Sequence, residues 1–355
     1  MRNVAVFFGG ISPEHDISCI TGMQTLSALD EKKYRVFPVY VTKSGECYCE
    51  NFLSLQDVAN YRPKRRDKIT LESGGIKKGF PYGKKIQIDC AVLCFHGGTY
   101  EGGGFSYKLD EAKIPYASSE AIPSGVSMDK NLQKLVAKAL GIPVLPYIAI
   151  KDGETAFDVK FPVVVKPNSL GSSIGVSVCN TKEELASSLD LAFRFDDKAL
   201  VEKKAEDFYE LNISAMRCDK EVLLSAIEKP NTKEEILTFS EKYLSGGKKT
   251  DGMKSLKREC PAKVAEEVEK SVEKYAKTLY EELSLFGIVR LDFIVEKESV
   301  YFNEINVIPG SLSWYLWKEK GYSFSKLLDT AIEEGIRRSE KRKEKIRIID
   351  TGVLK

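Results

Sequence analysis

The chain has 355 residues, 43% of them hydrophobic and 30% charged, an ordinary globular composition too long for one core and suited to two or three domains. Its 54 basic and 52 acidic residues leave a formal charge of +2, without the basic surplus of a protein whose main task is nonspecific nucleic-acid binding. Only two histidines occur, His15 and His96, so a metal site must be built from oxygen donors, which favours Mg²⁺, Ca²⁺ or Mn²⁺ over zinc.

In chain order, MRNVAVFFGG reads as a first β-strand. It lacks the cleavage site of a signal peptide, and no apolar run approaches the roughly 18 residues of a membrane span, so a cytoplasmic protein is expected. SPEHDISCITGMQTLSAL reads as a helix with Ser12 as N-cap and Pro13 at the first helical position. KYRVFPVYV and DCAVLCF are two further buried strands, giving a doubly wound α/β layer. Residues 44–88 are poorly patterned and read as an insertion. Their RPKRRDK cluster suits a solvated face better than an anion site. The eight cysteines show no CxxC spacing and read as buried free thiols.

A boundary is expected near residue 120. SMDKNLQKLVAKALGIP predicts a helix capped by Ser127, with Leu132, Leu135, Val136, Ala139 and Leu140 as its apolar face. FPVVVKPNSLGSSIGVSVC is a strand, a Gly-rich loop and a strand. The loop is a plain hairpin turn or a flap over phosphates, but not a Walker loop, since GK[ST] is absent. Lys166 favours the flap, because an ammonium ending a buried strand needs a partner, and a nucleotide phosphate would serve.

Beyond residue 208, YELNISAMRC and EVLLSAIEKP suggest a hairpin, and a helix is expected over 261–285. GIVRLDFIV and SVYFNEINV are adjacent strands, a last helix covers 323–338, and KRKEK at 341–345 reads as an exposed tail. Arg290 and Asp292 share one strand face, as do Glu304 and Asn306 on the next. Paired antiparallel, these residues would gather Asp292, Glu304 and Asn306 as magnesium donors, or leave Arg290 in an ordinary carboxylate pair.

The ordered set GGISPEHDIS, HGG, SMDK, VVKPNSLGSSIGVS, VEK, EKY, VRLDF and NEINVIPG resembles the ATP-grasp ligases, and within them the D-alanine:D-alanine ligases. The resemblance covers nearly the whole chain. It implies an ATP-grasp fold of α/β and α+β class with an N-terminal doubly wound parallel-sheet domain (1–120), a central subdomain (121–207) and a C-terminal one (208–355). It also implies ATP, Mg²⁺ or Mn²⁺ as two ions, small amino-acid substrates and a homodimer.

By the same resemblance, Glu14 holds the first substrate's ammonium and His96 lines its site, while Ser172 and Tyr243 meet Glu14 in a lid contact. Lys130 and Lys166 serve the phosphates, Ser172 and Ser173 belong to the ATP site, Glu202 and Lys203 serve the adenine, and Glu210 the ribose. Lys242, Arg290 and the backbone of Gly310 steady the transferred phosphoryl and the tetrahedral intermediate, and Asp292, Glu304 and Asn306 hold metal. The sequence departs from the family at Tyr315, where a serine contacts the second substrate's carboxylate, at Leu170, where an acid is usual, and at Glu101-Gly102-Gly103 in place of Glu-Asp-Gly. The phenol could still meet a carboxylate, and the acceptor is the open point: D-alanine, or another such as D-serine or D-lactate. A noncatalytic nucleotide-binding regulator and a Rossmann dehydrogenase are weaker readings, since all four of Arg290, Asp292, Glu304 and Asn306 are present and FFGGISPE lacks GxGxxG.

Overall fold

The computed structural model describes residues 1–79, 82–154, 158–230 and 258–345. The first sheet runs Cys47–Cys49, Tyr34–Val41, Arg2–Gly9, Cys90–Leu93, with the last three strands parallel. Its central strand has neighbours on both edges and elements on both faces, so Val4 to Phe8 are fully buried and no polar alternation survives. Gly9 ends it at φ +90°, where a Cβ would stand 2.3 Å from the Val41 carbonyl oxygen.

Ser12 does not cap the first helix. The helix is His15–Ala28, and its N-cap is Glu14. The Ser12 hydroxyl instead accepts from the Glu14 amide at 3.0 Å, two residues on, in a local turn that competes with capping. That turn places Glu14 at the helix mouth.

The poorly patterned stretch 44–88 is more ordered than expected. Cys47–Cys49 joins the first sheet, and Ile69–Glu72, Gly75–Lys78 and Lys84–Gln87 form a small antiparallel sheet. These strands are short and largely polar, so period-2 alternation had too few residues in which to appear.

The single helix expected over SMDKNLQ is two, Ala121–Met128 and Lys130–Ala139, and the cap of the second is Asp129, whose carboxylate accepts from Leu132 N–H at 2.8 Å. Its buried residues are Lys130, Gln133, Lys134 and Ala137, while Leu132 and Leu135 are exposed. The polar face, not the apolar one, is turned inward.

The central sheet is antiparallel, in the order Ser177–Cys179, Val163–Pro167, Lys198–Lys203, Tyr147–Lys151. Its core with the helix Lys182–Phe193 centres on Val165, Leu185, Leu189 and Val201. The C-terminal sheet runs Glu221–Leu224, Phe208–Cys218, Val289–Glu296, Ser299–Asn306, so the expected hairpin and strand pair both form.

The helix Glu266–Glu282 covers this sheet with Val268, Val272, Ala276, Leu279 and Tyr280. The last helix, Phe324–Lys343, overruns the expected exposed tail, and its Arg342 pairs with Asp110 at 2.9 Å and Glu120 at 3.1 Å. All eight cysteines are free thiols. Among the described residues no helix is long and apolar enough to cross a membrane.

Candidate active site

The Val289–Glu296 and Ser299–Asn306 strands pair antiparallel, with Arg290 opposite Asn306 and Asp292 opposite Glu304. A β-bulge follows Asp292. The Arg290 guanidinium grips Asp292 in a two-pronged pair at 2.7 Å each, and the Asn306 amide donates to Asp292 Oδ2 at 3.0 Å. The carboxylate pairing set against the metal reading is therefore formed in this structure. Lys130 Nζ lies 3.2 Å from Glu304.

Among the described residues no group of three His, Cys, Asp or Glu side chains could hold a metal ion. The donor set is instead two carboxylates and one amide, all oxygen donors on neighbouring strands. It fits a magnesium ion that completes its shell with phosphate oxygens and water.

Lys166 has protein partners, contrary to expectation: Glu202 at 2.8 Å and the Asn303 side-chain oxygen at 3.2 Å. Glu202 lies between Lys166 and Lys134, the latter at 2.7 Å and almost wholly buried. Burial alone would raise the Glu202 pKa, but the two ammonium groups hold it down at about 2. The carboxylate assigned to adenine is thus engaged with two lysines. The Lys203 ammonium is drawn off to Glu296 at 2.9 Å, so neither side chain presents an unengaged charge to a base. Glu210 is half-buried, and its charge, with those of Glu202 and Glu304, raises the pKa of Lys166 against the opposing effect of burial.

The Gly-rich loop crosses toward the N-terminal sheet. Ser172 and Ser173 take φ of +54° and +57°, and the Ser172 hydroxyl donates to Glu14. Lys130 Nζ donates to the Leu170 carbonyl at 2.6 Å, so two separate elements pin the loop. Leu170 thus holds Lys130 through its backbone carbonyl. Gly97, at φ +67°, approaches Glu14 so closely that a Cβ there would stand 2.3 Å from its carboxylate.

His96 is buried with Nε2 at 2.7 Å from the Thr21 hydroxyl, and burial lowers its pKa to about 4, so it is neutral at physiological pH. Thr21 Oγ1 also accepts from Ser311 N–H at 3.1 Å, tying the first helix to the turn after Gly310. In that turn Ser311, Leu312 and Ser313 all take φ near +50°, three successive left-handed non-glycine residues of the kind held only at overdetermined sites.

Sequence reasoning gave Glu101 no role of its own. It is buried, accepting from Gly97 N–H at 2.6 Å and Ile308 N–H at 3.4 Å. Burial, with the nearby Glu14 charge, raises its pKa to about 8. A glutamate between a tyrosine and three glycines gave little warning of this.

Tyr315 does not present an open hydroxyl. Its ring lies under the Arg258 guanidinium, 4.2 Å from centroid to Cζ, and its hydroxyl donates to Glu228 at 3.3 Å. Neither Arg258 nor Glu228 carried a signal in the sequence beyond a charge beside an apolar run. Lys242 and Tyr243 lie outside the described residues.

The chain matches sequence profiles described as D-ala D-ala ligase N-terminus over residues 3–119 and D-ala D-ala ligase C-terminus over residues 136–333. It is 35% identical over 366 residues to a protein of Thermosipho melanesiensis named D-alanine--D-alanine ligase, covering 100% of this chain and 99% of that one. Among solved structures it is similar to the D-alanine–D-alanine ligase of Helicobacter pylori, at 27% identity and TM-score 0.77, covering 94% of this chain and 98% of that one. The Bacillus anthracis D-alanine–D-alanine ligase complexed with ATP is 26% identical at TM-score 0.70, covering 96% of this chain and all of the other.

Proposed function

Because the chain belongs to the D-alanine–D-alanine ligase family, with an ATP-grasp fold, we propose that it is the ADP-forming ligase that joins two D-alanines into the dipeptide of peptidoglycan precursors. The observation that carries the reading is one continuous set of contacts. Lys130 touches both Glu304 of the polar strand pair and the Gly-rich loop, and that loop closes on Glu14.

In this reading Glu14 holds the ammonium of the first D-alanine, and neutral His96 lines its pocket without adding a competing charge. The Gly-rich loop shuts water away, since a hydrolysed acyl phosphate would waste ATP. Lys130 and Lys166 face the ATP phosphates, with Ser173 beside them; Glu202, Lys203 and Glu210 border the nucleoside.

The first carboxylate oxygen takes the γ-phosphoryl group and ADP leaves. The second D-alanine's amine attacks the carbonyl carbon and gives up a proton, and the tetrahedral intermediate expels phosphate with that oxygen. Arg290 and the Gly310 backbone steady the negative charge as it moves, the kind of fixed electrostatics that usually dominates such catalysis. Lys242 joins Arg290 and Gly310 in this role, and Tyr243 joins Ser172 in the lid contact with Glu14. Asp292, Glu304 and Asn306 would hold Mg²⁺ or Mn²⁺, as two ions, which would neutralise the phosphate oxygens. A cytoplasmic homodimer completes the reading.

The test is ADP release with ATP and Mg²⁺ across D- and L-amino acids offered singly and in pairs. D-alanine alone should suffice; release with none of the D-amino acids would overturn the reading. The engaged Tyr315 favours one second reading, a different acceptor such as D-serine or D-lactate. The mass of the ligated product decides between them.

A further inference from the structure

A polar row crosses the C-terminal sheet. Glu304 faces Asp292 across one strand pair, and Asp292 faces Asn212 across the next. Asn212 exchanges both backbone hydrogen bonds with Glu228 at 2.9 Å, so the row ends on Glu228. Three strand spacings separate its ends by roughly 14 Å. Lys130 stands at the Glu304 end and Arg258 at the Glu228 end, with Arg290 between them on the strand of Asp292.

The phosphate-facing lysines crowd the first end. The second end is built differently. Arg258 Nη1 lies 3.3 Å from Glu228 Oε1, and its Cζ lies over the Tyr315 ring, 4.2 Å from the centroid. Tyr315 and Glu228 both position the guanidinium. A planar guanidinium held in this way is suited to recognising a carboxylate, which its N–H groups can meet in pairs. Tyr315 has a single O–H to donate, and it donates to Glu228, so the phenol is a poor carboxylate receptor. Arg290 is already committed to Asp292 through two bonds.

We propose that Arg258 receives the carboxylate of the acceptor amino acid, with Tyr315 as its platform and Glu228 as its holder. The assignment rests on the ligase reading and deepens it. It stands in place of the reading in which the Tyr315 hydroxyl meets that carboxylate, and it makes the Arg258–Tyr315 pair the feature that demands an acceptor bearing a carboxylate.

The test measures separate donor-site and acceptor-site constants for D-alanine, and the ratio of turnover with D-alanine to turnover with D-alaninamide, an acceptor without the carboxylate. Arg258→Met should raise the acceptor constant about 10- to 100-fold, the loss expected for a charged hydrogen-bonded pair. It should leave the ATP and donor constants within about twofold and collapse the preference for D-alanine over its amide. Arg258→Lys should fall between, because charge returns without the paired geometry.

If Arg258→Met folds poorly because Glu228 is left buried and unmatched, the double variant Glu228→Gln, Arg258→Met removes that charge and reads the same ratio. An unchanged acceptor constant and an unchanged preference, in a wild type that ligates D-alanine, overturn this assignment alone. A wild type that releases no ADP with any D-amino acid overturns the ligase reading and the assignment with it.

Discussion

Gly97→Ala separates backbone strain from loss of the donor site. Gly97 sits at φ +67°, and an added Cβ would stand 2.3 Å from Glu14 Oε2 and 2.7 Å from Ser12 Oγ. A left-handed backbone costs alanine about 1–2 kcal/mol, which falls on stability. The clash falls on the flexible end of Glu14, which must swing away. If Glu14 holds the donor ammonium, a charge-assisted contact of about 1.5–3 kcal/mol is lost, roughly 10- to 150-fold in the donor constant.

Gly141→Ala is the control, because Gly141 has φ +72° and nothing within 4 Å of the added Cβ. Both variants should melt lower by similar amounts, and only Gly97→Ala should weaken D-alanine at the donor site in ADP-release kinetics. Equal loss of stability with an unchanged donor constant would refute the role given to Glu14.

Glu101→Gln should flatten the pH dependence of stability. The Glu101 pKa is raised to about 8 from the ordinary carboxylate value, so the folded state binds more protons than the unfolded one and stability falls as pH rises toward 8, by about 1.4 kcal/mol per unit at most. Melting at pH 5.5 and pH 8.5 should show the variant gaining most at the higher pH; an equal difference at both would contradict this. Glu202→Gln should destabilise at neutral pH by about 3–5 kcal/mol, since Lys134 and Lys166 lose their shared counter-ion, and Lys134→Met added to it should recover part. Because the Glu202 pKa is lowered to about 2, the wild-type advantage should hold above the ordinary carboxylate range and vanish as pH falls toward 2. Asp129→Ala should cost about 1 kcal/mol as a lost N-cap, whereas Ser127→Ala should change melting far less.

The parts of the site built on strands were readable. Polar residues two apart in otherwise apolar strands had to face one side, and Arg290, Asp292, Glu304 and Asn306 do so in register. The helix Lys130–Ala139 inverts the expected pattern because its lysines have protein partners: Glu304 and the Leu170 carbonyl draw Lys130 inward, Glu202 draws Lys134 inward, and Leu132 and Leu135 are left outside. Lys166 needs a partner, as an ammonium ending a buried strand must, and Glu202, 36 residues away in sequence, supplies one that no local pattern reveals. Glu228 and Arg258 were invisible because their meaning arises where a two-residue strand pair meets the sheet edge, a contact no local period encodes. The short strands within 44–88 failed for want of length.

The central claim is that the donor carboxylate is activated as an acyl phosphate, and oxygen transfer tests it most directly. With D-alanine carrying ¹⁸O in its carboxylate, ATP and Mg²⁺, the account predicts that the inorganic phosphate released with each dipeptide carries one labelled oxygen. Phosphate without label, alongside dipeptide formation, would contradict it.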